Sequence, residues 1–172
     1  QAAEYVNISG DYAIIGVYSK SSSRGAAYIF KRDTGAETWT QQSKLTTSDG
    51  SSNHYFGWGV SITSDYAISG ARANGSGKAY IFKRSGTSWG DETILTGSGV
   101  SSSGNFGSSV AIKGDYAVVG AYNDDVSGIA AGSGAVYVFK RSGTSWTQQA
   151  KLVASDPVQY DAFGLAVDID GD

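Results

Sequence analysis

The chain has 172 residues and a formal net charge of −3, with no cysteine and no methionine. That length can bury a full core, while the mild charge supplies no basic field for nucleic acid or an anionic membrane. Without cysteine there is no disulfide, thiolate nucleophile or cysteine zinc site, and no run of about 18 apolar residues exists to span a membrane.

Charged residues are only 17% of the chain, below the roughly 25% of an average domain. Ser, Thr, Gly, Asn and Gln must therefore carry much of the polar surface. The opening "QAAEYV" lacks the basic and apolar regions of a signal peptide, so the chain is expected to be processed or part of something longer.

Taken in chain order, three landmarks recur. The first unit carries "GDYAIIG" (10–16), "GAAYIFKR" (25–32) and "TWTQQSKL" (38–45). The second repeats them as "SDYAISG" (64–70), "GKAYIFKR" (77–84) and "SWGDETIL" (88–95). The third has "GDYAVVG" (114–120), "GAVYVFKR" (134–141) and "SWTQQAKL" (145–152), and a fourth begins at Phe163 with "FGLAVDIDGD". Trp-to-Leu spacing is identical in every copy (39→45, 89→95, 146→152), as is Leu-to-Phe (45→56, 95→106, 152→163). Length varies chiefly in the loop before the YIF segment. Fixed segments with one elastic loop describe a repeated supersecondary unit.

Each unit reads as four strands. In the third, "SSVAIKG" and "YAVVGA" are joined by a Gly-Asp step suited to a primed hairpin turn. "AVYVF" follows, then a second Gly-containing turn, then "WTQQAKLVA". Strands two and three are apolar on both faces. Strand four is expected to alternate, with Trp146, Gln148, Ala150 and Leu152 on one side. A sheet buried on both faces at one edge and half solvated at the other is a blade packed radially among blades. The expected fold is all-β, with blades over 1–48, 56–98 and 106–155 and the first strand of a fourth over 163–172, all within one segment. Three blades and a strand cannot close a ring of normal size. Further blades, from the same polypeptide or another copy, are expected to cover the ends.

Phe56-Gly57 and Phe106-Gly107, with Gly70-Ala71-Arg72 and Gly120-Ala121-Tyr122, resemble the two elements of the FG-GAP repeat, the GAP proline being replaced. The first unit departs, with "AAEY" (2–5) where FG should stand and Gly16-Val17-Tyr18 in place of GAP. The repeat is the one found in integrin α-subunits and their relatives. The resemblance implies a β-propeller, an extracellular or cell-surface location, and adhesion to a protein or carbohydrate ligand. The FG and GAP positions, and Trp39, Trp89 and Trp146, are read as packing residues.

Integrin-type repeats often carry a calcium loop between strands one and two. Here that connection is only "SGD", "TSD" or "KGD" before Tyr12, Tyr66 and Tyr116, too short to wrap a hard cation. Asp168, Asp170 and Asp172 alternate near the end of the sequence, but Asp168 and Asp170 align with Ala111 and Lys113, within a strand and its turn. Neither a metal nor another cofactor is expected. The single histidine, His54, is read as a surface-loop residue with no nucleophile placed beside it, and no catalytic residues are assigned. Asn74 is either an Asn-Gly turn or a glycan acceptor. Asn7 is a second acceptor motif, within a strand.

Long variable segments fall between strands two and three and between strands four and one, on one face of the propeller. Loops on a rigid scaffold are where binding normally resides. Asp49, His54, Tyr55, Asp124, Asp125, Asp156 and Tyr160 are the candidate ligand contacts, although Ser/Gly-rich loops serve equally as spacers. The expected function is non-enzymatic recognition. The alternatives are a structural unit of a surface layer or filament, or an accessory propeller of a secreted enzyme.

Overall fold

The computed structural model describes residues 5–72, 75–126 and 131–170. Among these residues the chain forms three four-stranded antiparallel sheets. The first contains β1 (Tyr5–Ser9), β2 (Tyr12–Val17), β3 (Ala26–Asp33) and β4 (Thr38–Leu45). The second contains β5 (Phe56–Ile62), β6 (Tyr66–Ala71), β7 (Lys78–Ser85) and β8 (Ser88–Leu95). The third contains β9 (Ser109–Lys113), β10 (Tyr116–Ala121), β11 (Ala135–Ser142) and β12 (Ser145–Leu152). Strands pair in sequence order within each sheet, as consecutive short connections dictate. The expected all-β propeller blades are what the chain forms. One helical turn, Lys20–Ser23, lies in the β2–β3 loop with left-handed dihedrals at Ser21 and Ser22.

The hairpins follow from their turn residues. Ser9 pairs with Tyr12, and Lys113 with Tyr116, around two-residue turns. Gly114 opens its turn at φ 56°, a conformation glycine adopts without steric cost and one that matches strand twist.

The core lies between blades. One buried cluster joins Ile14, Ile29 and Leu45 of the first sheet to Phe56, Phe82 and Trp89 of the second. The next joins Ile68, Ile81 and Leu95 to Phe106, Val119 and Phe139 of the third. Period-2 alternation makes this possible: Ile68 and Ile81 face the following blade, while Ala67 and Phe82 face the preceding one.

Strand four departs from the expected regular alternation. Every β3–β4-type pair carries a register shift, between Ile29 and Phe30, Ile81 and Lys83, and Val138 and Phe139. The extra residue reverses which face the remaining side chains occupy. Trp89 therefore packs edge-on against Tyr12 of the preceding blade (centroids 5.6 Å apart), whereas Leu95 packs with Phe106 of the following one. Trp146 meets Tyr66 in the same way, at 5.9 Å. Trp146 and Leu152 thus do not share one side.

A second staple repeats on the short-turn face. Arg84 pairs with Asp65 of its own blade (3.2 Å) and lies 5.4 Å from the Tyr12 ring of the preceding one. Arg141 likewise pairs with Asp115 and lies 5.0 Å from the ring of Tyr66. Along the inner strands, Asn7 Oδ1 accepts from the Ile62 N–H (3.0 Å) and Ser61 Oγ from the Ile112 N–H (3.3 Å). The Asn7 side chain is thereby engaged between blades.

The FG element is an inter-blade device. Phe56, Phe106 and Phe163 form parallel bridges to Gly25, Gly77 and Gly134 of the blade before each. Residues 163–170 lie beside the third blade, where Val167 and Ile169 pack on Ala111 and Val118. Gly134–Phe163 is their one β-bridge among the described residues; in this sheet order a first strand pairs only with a second.

Candidate ligand-binding face

The β2–β3-type loops and the connections between blades emerge on the same face, because each sheet is a sequential antiparallel meander. Beneath them stands one tyrosine per blade, at the same place in strand three: Tyr28, Tyr80 and Tyr137. Tyr80 and Tyr137 are fully buried, so each hydroxyl must find a partner inside the protein. The three blades solve this differently.

In the first blade Lys20 donates to the Tyr28 hydroxyl. In the second, Tyr80 sits 2.8 Å from both Asp49 Oδ1 and His54 Nε2. A carboxylate only accepts, so the Tyr80 proton points to Asp49 and His54 Nε2–H donates to the phenol oxygen. The bare Nδ1 of His54 is buried and has no hydrogen-bond partner among the described residues. His54 is 1% exposed, so it is not the surface-loop residue its polar surroundings implied. Its ring is held neutral: burial pushes its pKa below the ordinary histidine value, and the Asp49 charge offsets this only in part. For Asp49, burial alone would raise the carboxyl, but Lys78 (2.5 Å) and the Tyr80 hydroxyl outweigh it and hold it below the usual carboxylate range.

In the third blade the same task falls to Asp124, which is 0% exposed. Its Oδ2 accepts from the Tyr137 hydroxyl at 2.6 Å and pairs with Lys151 Nζ at 2.9 Å, and its Oδ1 accepts from the Ser101 N–H at 2.7 Å. Burial raises this carboxyl, yet the Tyr137 hydroxyl, Lys151 and the Ser101 N–H outweigh it and lower the pKa. Both phenols are correspondingly pushed above the ordinary tyrosine value, by burial first and then by their carboxylates. Asp49, His54 and Asp124 therefore secure the loops from beneath.

The remaining candidates stay apart. Asp125 Oδ1 accepts from the Gly132 N–H (2.8 Å), a contact within the β10–β11 connection. Asp156 and Tyr160 are exposed on the connection after β12. Asp168 bonds its neighbour's N–H at Ile169, and Asp170 pairs with Lys113 at 3.0 Å. Asp172 and Asn74 lie outside the described residues. Among the described residues no group of three acidic or histidine side chains is placed to hold a metal ion.

Tyr55 belongs to a different constellation. Its ring lies 5.8 Å from Tyr18 and 6.3 Å from Trp58. Tyr18 stacks on Trp58 at 4.2 Å, and the Arg72 guanidinium lies 3.4 Å from the Trp58 ring. Arg72 Nη1 then donates to the Tyr122 hydroxyl at 2.9 Å. The result is a ladder, Tyr18–Trp58–Arg72–Tyr122, across three blades at the loop-side mouth of the inner strands. It borders a concave surface of about 540 Å³, lined chiefly by Tyr5, Val6, Val60, Val110 and Leu165 besides Trp58, Arg72 and Tyr122. The composition is mostly apolar with one fixed cation, the usual make-up of a ligand cleft. Sequence reading missed it, although a signal existed: Tyr18, Arg72 and Tyr122 hold the same offset, at the third GAP position.

The family model described as FG-GAP repeat matches residues 39–82, 89–139 and 146–172. No curated protein matches the chain.

Proposed function

Because the chain belongs to the FG-GAP repeat family, we propose that it is a non-enzymatic recognition module of integrin-like propeller type, working outside the cell or on its surface. The observation that carries this reading is the Tyr18–Trp58–Arg72–Tyr122 ladder beside an apolar concavity on the loop face. Aromatic and arginine side chains on a rigid scaffold are the groups that concentrate binding energy. The ligand is a protein or carbohydrate of the cell surface, taken at the axial mouth rather than at the loop tips.

The test is retention of beads carrying the chain on defined matrix-protein and polysaccharide coatings. Trp58→Ala should abolish retention and the exposed short-turn variant Thr87→Glu should preserve it. Retention that survives Trp58→Ala, or no retention of the unaltered chain on any coating, overturns the reading.

A second reading, a building block of a surface layer or filament, is favoured by the two outer faces. Trp39 is 40% exposed where Trp89 is 7%, and Leu152 is 46% exposed where Leu95 is 3%. These faces present the residue types that blades use on one another, and open-ended polymers in solution would favour this reading.

A further inference from the structure

Among the described residues the Arg72 guanidinium is held but only partly satisfied. Trp58 covers one of its faces at 3.4 Å, and Tyr122 takes one amino group at 2.9 Å. Its Nε is buried and has no hydrogen-bond acceptor among the described residues, and no carboxylate pairs with it there. The Nε of Arg141 is likewise buried without an acceptor among the described residues, so the contrast lies in the carboxylate: Arg84 and Arg141 each pair with an aspartate of their own blade. An arginine that is stacked, lines the concavity and has no carboxylate partner among the described residues is preorganised for a planar two-oxygen acceptor. Stacking fixes the plane of the fork, so little side-chain freedom remains to be lost on binding.

What surrounds that edge defines the rest of the ligand. Val6, Val60, Val110 and Leu165 line the concavity beside Arg72, with the Tyr5 ring at its rim. Both serine hydroxyls of the lining already donate, Ser108 Oγ to the Gly120 carbonyl (3.1 Å) and Ser109 Oγ to the Gly164 carbonyl (2.8 Å). We propose that this cleft binds a carboxylate borne on an apolar body, with Arg72 taking the carboxylate and the inner-strand valines taking the apolar part. A peptide segment ending in, or displaying, an acid next to a large apolar side chain has this chemistry. The inference rests on the recognition reading and specifies its ligand.

The experiment uses three small probes titrated into the whole chain: acetyl-glycyl-phenylalanine, its C-terminal amide, and glucuronate. Binding is read from the indole N–H resonance of Trp58. The free acid should bind at least tenfold more tightly than the amide and than glucuronate. Arg72→Gln should remove the preference for the acid, and Arg72→Lys should weaken acid binding about tenfold, because an ammonium lacks the bidentate fork. Thermal unfolding verifies that both variants are folded. Equal binding of acid and amide, or unchanged acid binding in Arg72→Gln, overturns the proposal. Glucuronate binding as tightly as the peptide acid overturns the apolar half of it. The two readings fail separately. If bead retention depends on Trp58 but acid and amide bind alike, only the carboxylate site falls. If Arg72 selects the acid but retention ignores Trp58→Ala, only the adhesion reading falls.

Discussion

Gly70 of the second blade lies directly against the backbone of Gly107 in the third, so close that a methyl group on Gly70 would overlap the Gly107 carbonyl oxygen. Gly16 and Gly57, and Gly120 and Gly164, stand in the same relation. The glycine that ends strand two of one blade is thus the seat for the FG glycine of the next. Gly70→Ala forces backbone apart between two blades and should cost about 3 kcal/mol, toward the upper end of overpacking penalties. Gly90→Ala is the control, because nothing lies within 4 Å of a β-carbon there, and it should change stability by less than about 0.5 kcal/mol. Urea unfolding of the two variants measures both.

The buried Asp124 network makes a steeper prediction. Asp124→Ala leaves Lys151 without its carboxylate and strips Tyr137 of its acceptor. Removing one member of a buried ion pair costs about 3–5 kcal/mol. Tyr137→Phe removes only the hydroxyl and should cost about 1–3 kcal/mol. Because both act on one network, the double variant should lose less than the sum, which denaturant melts can resolve.

Stability should fall with acid in two stages. The pKa of His54 in the folded chain lies below its ordinary 6.5, so the unfolded chain takes up that proton first. The contribution of a neutral His54 is complete above about pH 6.5 and is lost as pH falls through the lower folded value. Asp49 and Asp124 are also depressed, from 3.8, so their contribution persists above about pH 4 and disappears below it. Melting temperatures across pH 3 to 8 should show both stages, and His54→Gln should flatten only the upper one. An unchanged slope between pH 7 and 5 in that variant would contradict the neutral, buried assignment.

Two tryptophans at the same offset should differ in worth. Trp89 is buried against Tyr12 and its Nε1–H donates to Gln42 Oε1 at 2.9 Å, whereas Trp39 is 40% exposed. Trp89→Ala should cost about 3–5 kcal/mol and Trp39→Ala less than about 1 kcal/mol. Equal losses in thermal melts would mean that Trp89 does not carry the inter-blade contact.

The repeat, the four strands of each full unit and the all-β blade were legible from the residues alone, because fixed spacing, two-residue glycine turns and apolar strands are local properties of the chain. The further strand expected over 163–172 is only an isolated bridge at Phe163 among the described residues. The sequence also marked Phe56-Gly57 and Gly70-Ala71 as packing elements, since each recurs wherever two blades must meet. Which face each strand-four side chain takes was set by packing between strands. One bulge residue reverses the alternation, and its position shows in the register rather than in the residue types. Tertiary structure also sorted the loop residues. Asp49, His54 and Asp124 read as polar loop positions like Asp156, and they differ only because a buried tyrosine hydroxyl from another strand lies beneath them. The ladder from Tyr18 to Tyr122 was the least legible feature, because it draws on three blades and Tyr18, Arg72 and Tyr122 lie 54 and 50 residues apart in sequence. They become neighbours only where inner strands converge on a common axis, and that convergence belongs to the packing of blades against one another.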